Sequence, residues 1–440
     1  MARTVSFISL GCAKNQVDCE QMMYLLRQAG WSIHPEPNDV DLVVINTCGF
    51  IDPAKAEAIQ NIIEMGQRKE QGYIGKLLVT GCLAQRYREQ VLAELPEVDG
   101  VLGTGSCYDI VSAAEQLFRG ETVRRFGDIN GEVPETGRIL TTPRHYAYLK
   151  IAEGCDNHCA YCVIPSLRGK YRSRPMEACV AEAERLAAGG VRELIVVAQD
   201  TSRYGLDLCG ERKLPELLER LCRIDGLHWV RVHYCYPDEI TDELIDVFAR
   251  EEKLVKYMDI PIQHVNDAIL RRMNRRGNKA YLEKLFPRLR ERIPGLVLRT
   301  SLITGLPGEG EEEFAELCDF LRRHRLERVG AFAFSPEEGT PAARMDYPDA
   351  DVAARRAEFV MQLQSEILDA YNEARLDQEA EVLCEDYDGI YYYGRTYADS
   401  PGIDGTVRFT SEREHGMGEF VRVKLLGTED GELLGREVPV

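Results

Sequence analysis

The chain has 440 residues, of which 44% are hydrophobic and 29% charged, and its formal net charge is −19. This length exceeds one hydrophobic core and indicates roughly three domains of about 150 residues. The acidic balance argues against a protein that holds nucleic acid mainly by its phosphates, and it favours a basic partner. No stretch reaches the ~18 apolar residues of a membrane span, so we expect a cytoplasmic protein with no membrane partner.

The first 120 residues alternate short apolar runs with helical patterns, which predicts an α/β fold with a doubly wound parallel sheet. The predicted strands are Val5–Leu10, Asp41–Ile45 and Lys76–Val79, each followed by a predicted helix, at Gln16–Ala29, Pro53–Gln67 and Gln85–Leu95. Val5–Leu10 is too short for a secretory signal and we interpret it as a buried strand.

A cysteine follows each of these three strands: Cys12, Cys48 and Cys82. Ligands of open α/β sheets bind beyond the carboxyl ends of the strands, and a nearby helix N-terminus favours a thiolate. The three thiols are therefore expected to converge on one metal cluster. The alternative is a small buried side chain at each position, which is ordinary for a lone cysteine and less so for three matching ones.

Residues 121–144 are rich in Gly, Pro and Thr and are predicted to be a linker. Six further strand–helix units in residues 145–375 predict an open, partial (β/α)6 TIM-like barrel with its site at the carboxyl ends of the strands. Its predicted strands are Tyr146–Ile151, Glu193–Ala198, Trp229–His233, Lys256–Ile260, Val297–Ile303 and Val329–Phe334. Its predicted helices are Met176–Ala188, Leu214–Cys222, Asp238–Phe248, Lys279–Arg292, Glu311–His324 and Asp351–Leu376.

Residues 376–440 carry short alternating runs separated by Asp-Gly turns, which predicts a small antiparallel β-barrel. The predicted strands are Glu379–Cys384, Ile390–Thr396, Gly405–Phe409, Glu419–Leu425 and Glu432–Val438. The segment contains 15 acidic and 6 basic residues. Tyr391, Tyr392 and Tyr393 could stack on bases, but with so few basic residues nearby we favour packing in the barrel.

The strongest motif places Cys155, Cys159 and Cys162 on one loop after the first strand of the central domain. Three thiolates can hold a [4Fe–4S] cluster and leave one iron open. A zinc site is the alternative, but it requires a fourth ligand. His158 is available, yet it lies inside the loop, where reaching the same metal is awkward.

This cysteine loop resembles the radical S-adenosylmethionine (SAM) superfamily over about residues 145–335. The resemblance implies that the open iron binds the amino and carboxylate groups of SAM and that an electron from the cluster cleaves a carbon–sulfur bond of SAM. It also implies SAM contacts at the ends of the second and fifth strands, here Gln199 and Gly305. Gln199 stands where many members carry an acidic residue, and Gly305 is equally consistent with a plain strand-to-helix turn.

Together with this loop, the N-terminal cysteines and the C-terminal barrel resemble the radical SAM methylthiotransferase family, whose barrel is called a TRAM domain. The resemblance rests on Ser9–Asp18, Asn46–Phe50, Thr80–Leu83, Tyr393–Thr396 and Ile403–Val407. One branch of the family modifies adenosine in transfer RNA (the MiaB type). The other modifies an aspartate of ribosomal small-subunit protein twelve (the RimO type). Gly11–Asn15 and Asp399–Gly405 resemble the RimO type.

The resemblance implies insertion of a methylthio group at the β-carbon of that aspartate, with two [4Fe–4S] clusters, two SAM molecules, a sulfur donor and an electron donor. It assigns the first cluster to Cys12, Cys48 and Cys82, and the second to the catalytic Cys155, Cys159 and Cys162. The acidic barrel favours a basic ribosomal protein over nucleic acid as the main target. Two alternatives stay open: the transfer-RNA enzyme, and a cluster-carrying protein without substrate chemistry.

The remaining candidates are two basic runs and the other cysteines. A solvated basic edge is the expectation for at least two members of each run, and attraction of a carboxylate is the alternative. The runs are Arg168, Lys170, Arg172 and Arg174, and Arg271, Arg272, Arg275 and Arg276. Structural roles are expected for Cys19, Cys107, Cys179, Cys209, Cys222, Cys235, Cys318 and Cys384.

Overall fold

The structure, a computed structural model, describes residues 2–439. These residues form two six-stranded sheets, a closed five-stranded barrel and a separate two-stranded sheet. Within the same residues, no helix is both long and apolar enough to cross a membrane.

The N-terminal sheet is entirely parallel, with the strand order β2-β1-β3-β4-β5-β6. Its strands are β1 Thr4–Ser9, β2 Ser32–His34, β3 Val40–Thr47, β4 Ile74–Gly81, β5 Gly100–Leu102 and β6 Val123–Arg125. Its helices are α1 Ala13–Gln28, α2 Asp52–Glu70, α3 Cys82–Tyr87, α4 Glu89–Glu94 and α5 Ile110–Phe118. Helices α1 and α5 pack on one face and α2, α3 and α4 on the other, so the predicted doubly wound fold is confirmed.

Two details of this domain differ from the sequence-based prediction. The predicted helix Gln85–Leu95 is wrong, because the chain breaks at Arg88, whose φ of +48° separates α3 from α4. Strand β6 adds to the sheet from within residues 121–144, the segment predicted to be a linker. The strand order reverses between β1 and β3, which is the switch point where open sheets bind ligands.

The central sheet is open and parallel, with the order β14-β13-β12-β11-β10-β7, so the predicted partial barrel is confirmed. The strands are β7 Tyr146–Lys150, β8 Ala152–Glu153, β9 Arg172–Ser173, β10 Glu193–Val197, β11 Trp229–Val232, β12 Leu254–Asp259, β13 Val297–Thr304 and β14 Arg328–Ala333. The helices are α6 Ile164–Arg168, α7 Met176–Ala188, α8 Leu206–Cys209, α9 Leu214–Cys222, α10 Asp242–Arg250, α11 Asp267–Arg272, α12 Lys279–Arg292, α13 Glu311–His324 and α14 Ala350–Glu373. Strands β8 and β9 form the separate antiparallel pair.

Helix α10 begins later than the predicted start at Asp238. Pro237–Glu239 forms a 3₁₀ turn, and the Thr241 side chain accepts a hydrogen bond from the Leu244 N–H. A threonine that satisfies a free N–H of the first turn is a common helix start.

The C-terminal barrel closes in the order β15-β16-β17-β19-β18. Its strands are β15 Glu379–Tyr387, β16 Tyr392–Arg395, β17 Val407–Thr410, β18 Phe420–Glu429 and β19 Glu432–Glu437. It is antiparallel as predicted, except that β17 and β19 pair in parallel. Tyr392 lies in its core, while Tyr391 and Tyr393 are half-buried, which agrees with packing of the tyrosines.

Buried ion pairs join this barrel to the central domain. Arg395 donates to Glu193 at 2.6 Å, and Glu193 also accepts from Arg231 at 2.7 Å. Asp399 pairs with Arg328, and Asp404 accepts from the Tyr257 hydroxyl at 2.7 Å. Part of the barrel's acidity therefore serves the domain contact instead of facing solvent.

Candidate functional site

Cys12, Cys48 and Cys82 follow strands β1, β3 and β4 at one edge of the N-terminal sheet. Cys12 is exposed, Cys48 half-buried and Cys82 buried. The turns approach so closely that a Cβ on Gly11 would lie 2.7 Å from the Cys48 Cβ, and one on Gly81 would clash with the Thr47 carbonyl oxygen. Both glycines have positive φ, at +87° and +92°, so the turns require glycine for backbone conformation as well as for space.

Two buried asparagines hold the same turns together. The Asn15 side-chain amide donates to the Leu10 carbonyl oxygen at 2.7 Å and to the Thr47 carbonyl oxygen at 3.3 Å. Asn46 donates in return to the Asn15 carbonyl oxygen at 2.6 Å. These bonds tie the ends of β1 and β3 to the start of α1 and fix the spacing of the cysteines.

The thiols of this group lie beside a buried cation. Burial raises the pKa of Cys48, and raises that of Cys82 to about 11. The Arg168 guanidinium opposes this shift and donates to the Cys82 Sγ at 3.4 Å. A buried positive charge favours the thiolate form that binds metal.

Cys155, Cys159 and Cys162 lie on the loop that the β8–β9 pair closes. Its first turn requires Gly154, which has a φ of +79° and whose Cβ would clash with the Lys170 carbonyl oxygen. The Cys155 N–H donates to the Gly169 carbonyl oxygen at 3.1 Å. Burial raises the pKa of Cys162 and raises that of Cys155 to about 11.

Cys159 has two polar neighbours from later parts of the central domain. Its Sγ lies 3.3 Å from the Tyr236 hydroxyl, and Arg275 Nη1 donates to it at 3.8 Å. His158 is exposed and has a left-handed backbone, with φ of +47°, so it offers no support for a zinc site.

Within residues 2–439, no three or more His, Cys, Asp or Glu side chains converge on the position of a single metal ion. Ligands of a four-iron cluster need not converge in this way, because each thiolate binds a different iron. In each set of three thiols one sulfur accepts from a guanidinium, which is compatible with the [4Fe–4S] clusters that the sequence predicts.

One cysteine of the N-terminal set packs against the segment that follows the cysteine loop. Cys82 packs with Phe50 of its own domain and with Val163 and Leu167, which follow Cys162. Arg168 belongs to the same segment, and its contact with Cys82 crosses between the domains.

The Arg168 guanidinium is fixed by an ionic network across this domain contact. It pairs with Asp18 and Glu153, and it donates to the Asn15 Oδ1 at 2.9 Å. Lys150 joins the same two carboxylates, at 2.8 Å from Glu153. The network holds the carboxyl ends of the two sheets at a defined distance.

The predicted SAM contacts differ in what surrounds them. Gln199 follows β10 and donates to Glu153 at 3.1 Å, while its buried Oε1 has no hydrogen-bond partner in residues 2–439. Gly305 follows β13 with a φ of +74°, and its Cβ would clash with Ala353 of α14. Helix packing thus accounts for glycine at position 305.

The basic runs divide between buried and exposed members. Arg168, Arg174 and Arg275 are buried, and Arg172 is half-buried. Lys170, Arg271 and Arg272 are exposed, and Arg276 pairs with Asp238 and Glu239. Among the cysteines expected to be structural, Cys209 is exposed, and those that are buried are Cys19, Cys107, Cys179, Cys222, Cys235, Cys318 and Cys384.

Polar residues around Arg168 and the cysteine loop are not evident from the sequence. Asp18 and Glu153 pair with Arg168, and Lys150 bonds both of these carboxylates. Tyr236 contacts Cys159 of the cysteine loop. Asp18 and Lys150 are 132 positions apart, and no local pattern marks such a pair.

Comparison with known families gives three matches along the chain. Residues 4–103 match "Uncharacterized protein family UPF0004", residues 149–321 the "Radical SAM superfamily" and residues 378–438 the "TRAM domain". The chain is 48% identical to "Ribosomal protein uS12 methylthiotransferase RimO" of Lachnoclostridium phytofermentans, over 98% of this chain and 99% of that protein. The protein of the same name from Clostridium tetani is 45% identical, over 97% of this chain and 96% of that protein.

The chain belongs to the RimO family. It is a radical SAM methylthiotransferase, and the radical SAM family uses a [4Fe–4S] cluster and SAM. Among solved structures, the radical SAM methyltransferase TsrM of Kitasatospora setae matches with a TM-score of 0.58 at 16% identity, over 78% of this chain and 74% of that one. The radical SAM enzyme OxsB matches with a TM-score of 0.51 at 14% identity, over 82% of this chain and 56% of that one. At such identities the likeness concerns the fold alone.

Proposed function

We propose that this chain transfers a methylthio group to the β-carbon of an aspartate in ribosomal small-subunit protein twelve, uS12, with two [4Fe–4S] clusters and two SAM molecules. Cys12, Cys48 and Cys82 would hold one cluster, and Cys155, Cys159 and Cys162 the other. The observation that supports the proposal best is the packing of Cys82 against Val163 and Leu167, the segment that directly follows Cys162. The relatives, named for uS12 and 45–48% identical, support the substrate.

The clusters and SAM, when bound, supply a radical strong enough to remove hydrogen from an inert carbon, and a sulfur that can accept a methyl group. The chain contributes positioning. Gly154 and the β8–β9 pair shape the loop for Cys155, Cys159 and Cys162, while Asn15 and Asn46 hold the turns of the other three cysteines. Gln199 Oε1, which has no hydrogen-bond partner in residues 2–439, would accept a hydrogen bond from the SAM amino group.

The C-terminal barrel is proposed to attract uS12. Ten of its 15 acidic residues are exposed, and a ribosomal protein is usually basic. We propose three domains, residues 1–120, 145–375 and 376–440, with the strand Val123–Arg125 of the segment 121–144 completing the first. We also propose a cytoplasmic location, with external sulfur and electron donors.

Mass spectrometry of uS12 tests this proposal. Purified uS12 is incubated anaerobically with the reconstituted protein, dithionite and SAM, and transfer RNA is added to a parallel sample. We expect one methylthio group on one aspartate of uS12, and none when Cys155, Cys159 and Cys162 are replaced by Ala. Unmodified uS12 together with methylthiolated adenosine in the transfer RNA would overturn the substrate.

A further inference from the structure

Lys14 is a largely buried cation that pairs with no carboxylate in the described residues 2–439. It is the second residue of α1, two positions after Cys12, and only 8% of its surface is exposed. Its Nζ lies 3.6 Å from the centroid of the Tyr234 ring, and it forms no ion pair with any residue from 2 to 439. An aromatic ring compensates an ammonium only in part for the loss of water.

Several buried or half-buried cations in this part of the molecule are matched by carboxylates, whereas the buried Arg275 donates to the Cys159 sulfur and the Pro261 carbonyl oxygen. Arg231 pairs with Glu193, Arg299 with Asp259 and Lys150 with Glu153, at 2.7–2.8 Å. Asp259 is also engaged through its second oxygen, which accepts from the Tyr234 N–H at 3.1 Å. Lys14 makes no such pair with a carboxylate in residues 2–439, so its ammonium is available to pair with a bound anion.

The residue whose ring covers Lys14 has a strained backbone conformation. Tyr234 follows β11 with a φ of +62°, which is rare for a bulky residue. The Asp259 side chain accepts its N–H, and its carbonyl oxygen accepts from the Thr201 N–H at 3.0 Å. Strain of this kind persists where neighbours enforce it, and it concentrates at functional sites.

We propose that Lys14 binds the side-chain carboxylate of the target aspartate, an inference that rests on the proposed function. Lys14 comes from the Cys12 turn, and Tyr234 from the carboxyl end of a central strand, so the ammonium lies where the two domains face each other. In aspartate the β-carbon is bonded to the carboxylate carbon. Holding that carboxylate therefore fixes the reacting carbon, and it selects aspartate over the isosteric but uncharged asparagine.

A binding experiment with paired substrates tests this role. The wild-type reconstituted protein, with SAM present, is titrated with a fluorescent uS12 peptide that contains the modified aspartate, and with the same peptide carrying Asp→Asn. We expect the aspartate peptide to bind about thirty-fold more tightly, as for a buried charge pair. Lys14→Met should bind both peptides equally, and Lys14→Arg should restore part of the preference. The exposed Lys284→Met is the matched control and should keep the full preference.

The outcomes separate this inference from the function on which it rests. If the wild-type protein neither binds nor modifies uS12, the proposed function fails. If uS12 is modified and Lys14→Met still prefers the aspartate peptide about thirty-fold, the role of Lys14 is wrong. Lys14→Met should also keep its affinity for SAM, and loss of SAM binding with the peptide preference intact would assign Lys14 to the SAM carboxylate instead.

Discussion

Cys155, Cys159 and Cys162 lie on one short loop, whereas Cys12, Cys48 and Cys82 are separated by 36 and 34 residues and meet only when three strands have paired. The loop needs one local closure, through the β8–β9 pair. The N-terminal set needs the tertiary structure of a whole domain. We conclude that formation of the N-terminal site is coupled to folding of its domain, and that small changes in that domain's turns disturb it selectively.

The largest selective effect is expected from Gly11→Ala. The new Cβ would meet the Cys48 Cβ at a residue with positive φ, so the variant should lose about half of its reconstituted iron and be destabilised by about 1–3 kcal/mol. It should still form 5′-deoxyadenosine from SAM, because the other loop is untouched. Iron analysis and product chromatography measure both quantities.

Two further glycine variants serve as controls for Gly11→Ala. Gly30 has a similar φ of +89° but nothing within 4 Å of its Cβ position, so Gly30→Ala should keep all its iron. Gly154→Ala should show the opposite pattern, with the N-terminal iron kept and 5′-deoxyadenosine lost. If Gly11→Ala and Gly154→Ala lose the same activity and the same iron, the two sites are not independent.

A smaller difference is expected between two asparagines. Asn15→Ala removes the buried bonds that join the ends of β1 and β3, and it should lower the free energy of unfolding by about 1–3 kcal/mol. Asn61, on helix α2, makes an exposed bond to the Glu57 carbonyl oxygen at 2.9 Å, and its removal should cost about 1 kcal/mol or less. Urea unfolding of the cluster-free proteins measures both, and an equal loss would contradict the comparison.

The smallest effect on the proposed clusters is a shift in their potentials, at the two arginines that donate to sulfur. Hydrogen bonds to ligand sulfurs favour the reduced, more negative cluster, so Arg168→Gln should lower the potential of the Cys82-bound cluster. A loss of about 1.5 kcal/mol corresponds to roughly 60 mV for one electron. Arg275→Gln should lower only the potential of the proposed Cys159 cluster. The shift should be smaller, because the Arg275 nitrogen lies 3.8 Å from sulfur compared with 3.4 Å for Arg168.

Redox titration followed by electron paramagnetic resonance resolves the two clusters in these variants. The exposed Arg271→Gln is the control and should leave both potentials unchanged. A shift of the same cluster by Arg168→Gln and Arg275→Gln would contradict their assignment to separate sites.

The regular elements were predictable from sequence because they rest on local patterns. Met176–Ala188, Lys279–Arg292 and Glu311–His324 have the same limits in sequence and structure. The break at Arg88 and the short strand Val123–Arg125 were not predictable. A non-glycine residue with positive φ leaves no compositional sign, and a three-residue strand is defined by its neighbour in the sheet.

The candidate site divides in the same way. The six cysteines were evident from spacing, and the closed turns around them explain their glycines. Arg168 was read as one member of a basic run, although its partners, Asp18 and Cys82, lie 150 and 86 residues away. Contacts across a domain boundary depend on how two folded surfaces meet, and the unpaired state of Lys14 is visible only once those surfaces are in place.

The most direct test of separate roles measures two products in one sample. The protein with Cys12, Cys48 and Cys82 replaced by Ala is incubated with SAM, dithionite and uS12, and both 5′-deoxyadenosine and methylthiolated uS12 are quantified. We predict 5′-deoxyadenosine and no methylthiolated uS12. Methylthiolated uS12 at the wild-type level would show that the N-terminal cysteines do not take part in the reaction, and loss of both products in a folded protein would contradict the independence of the two sites.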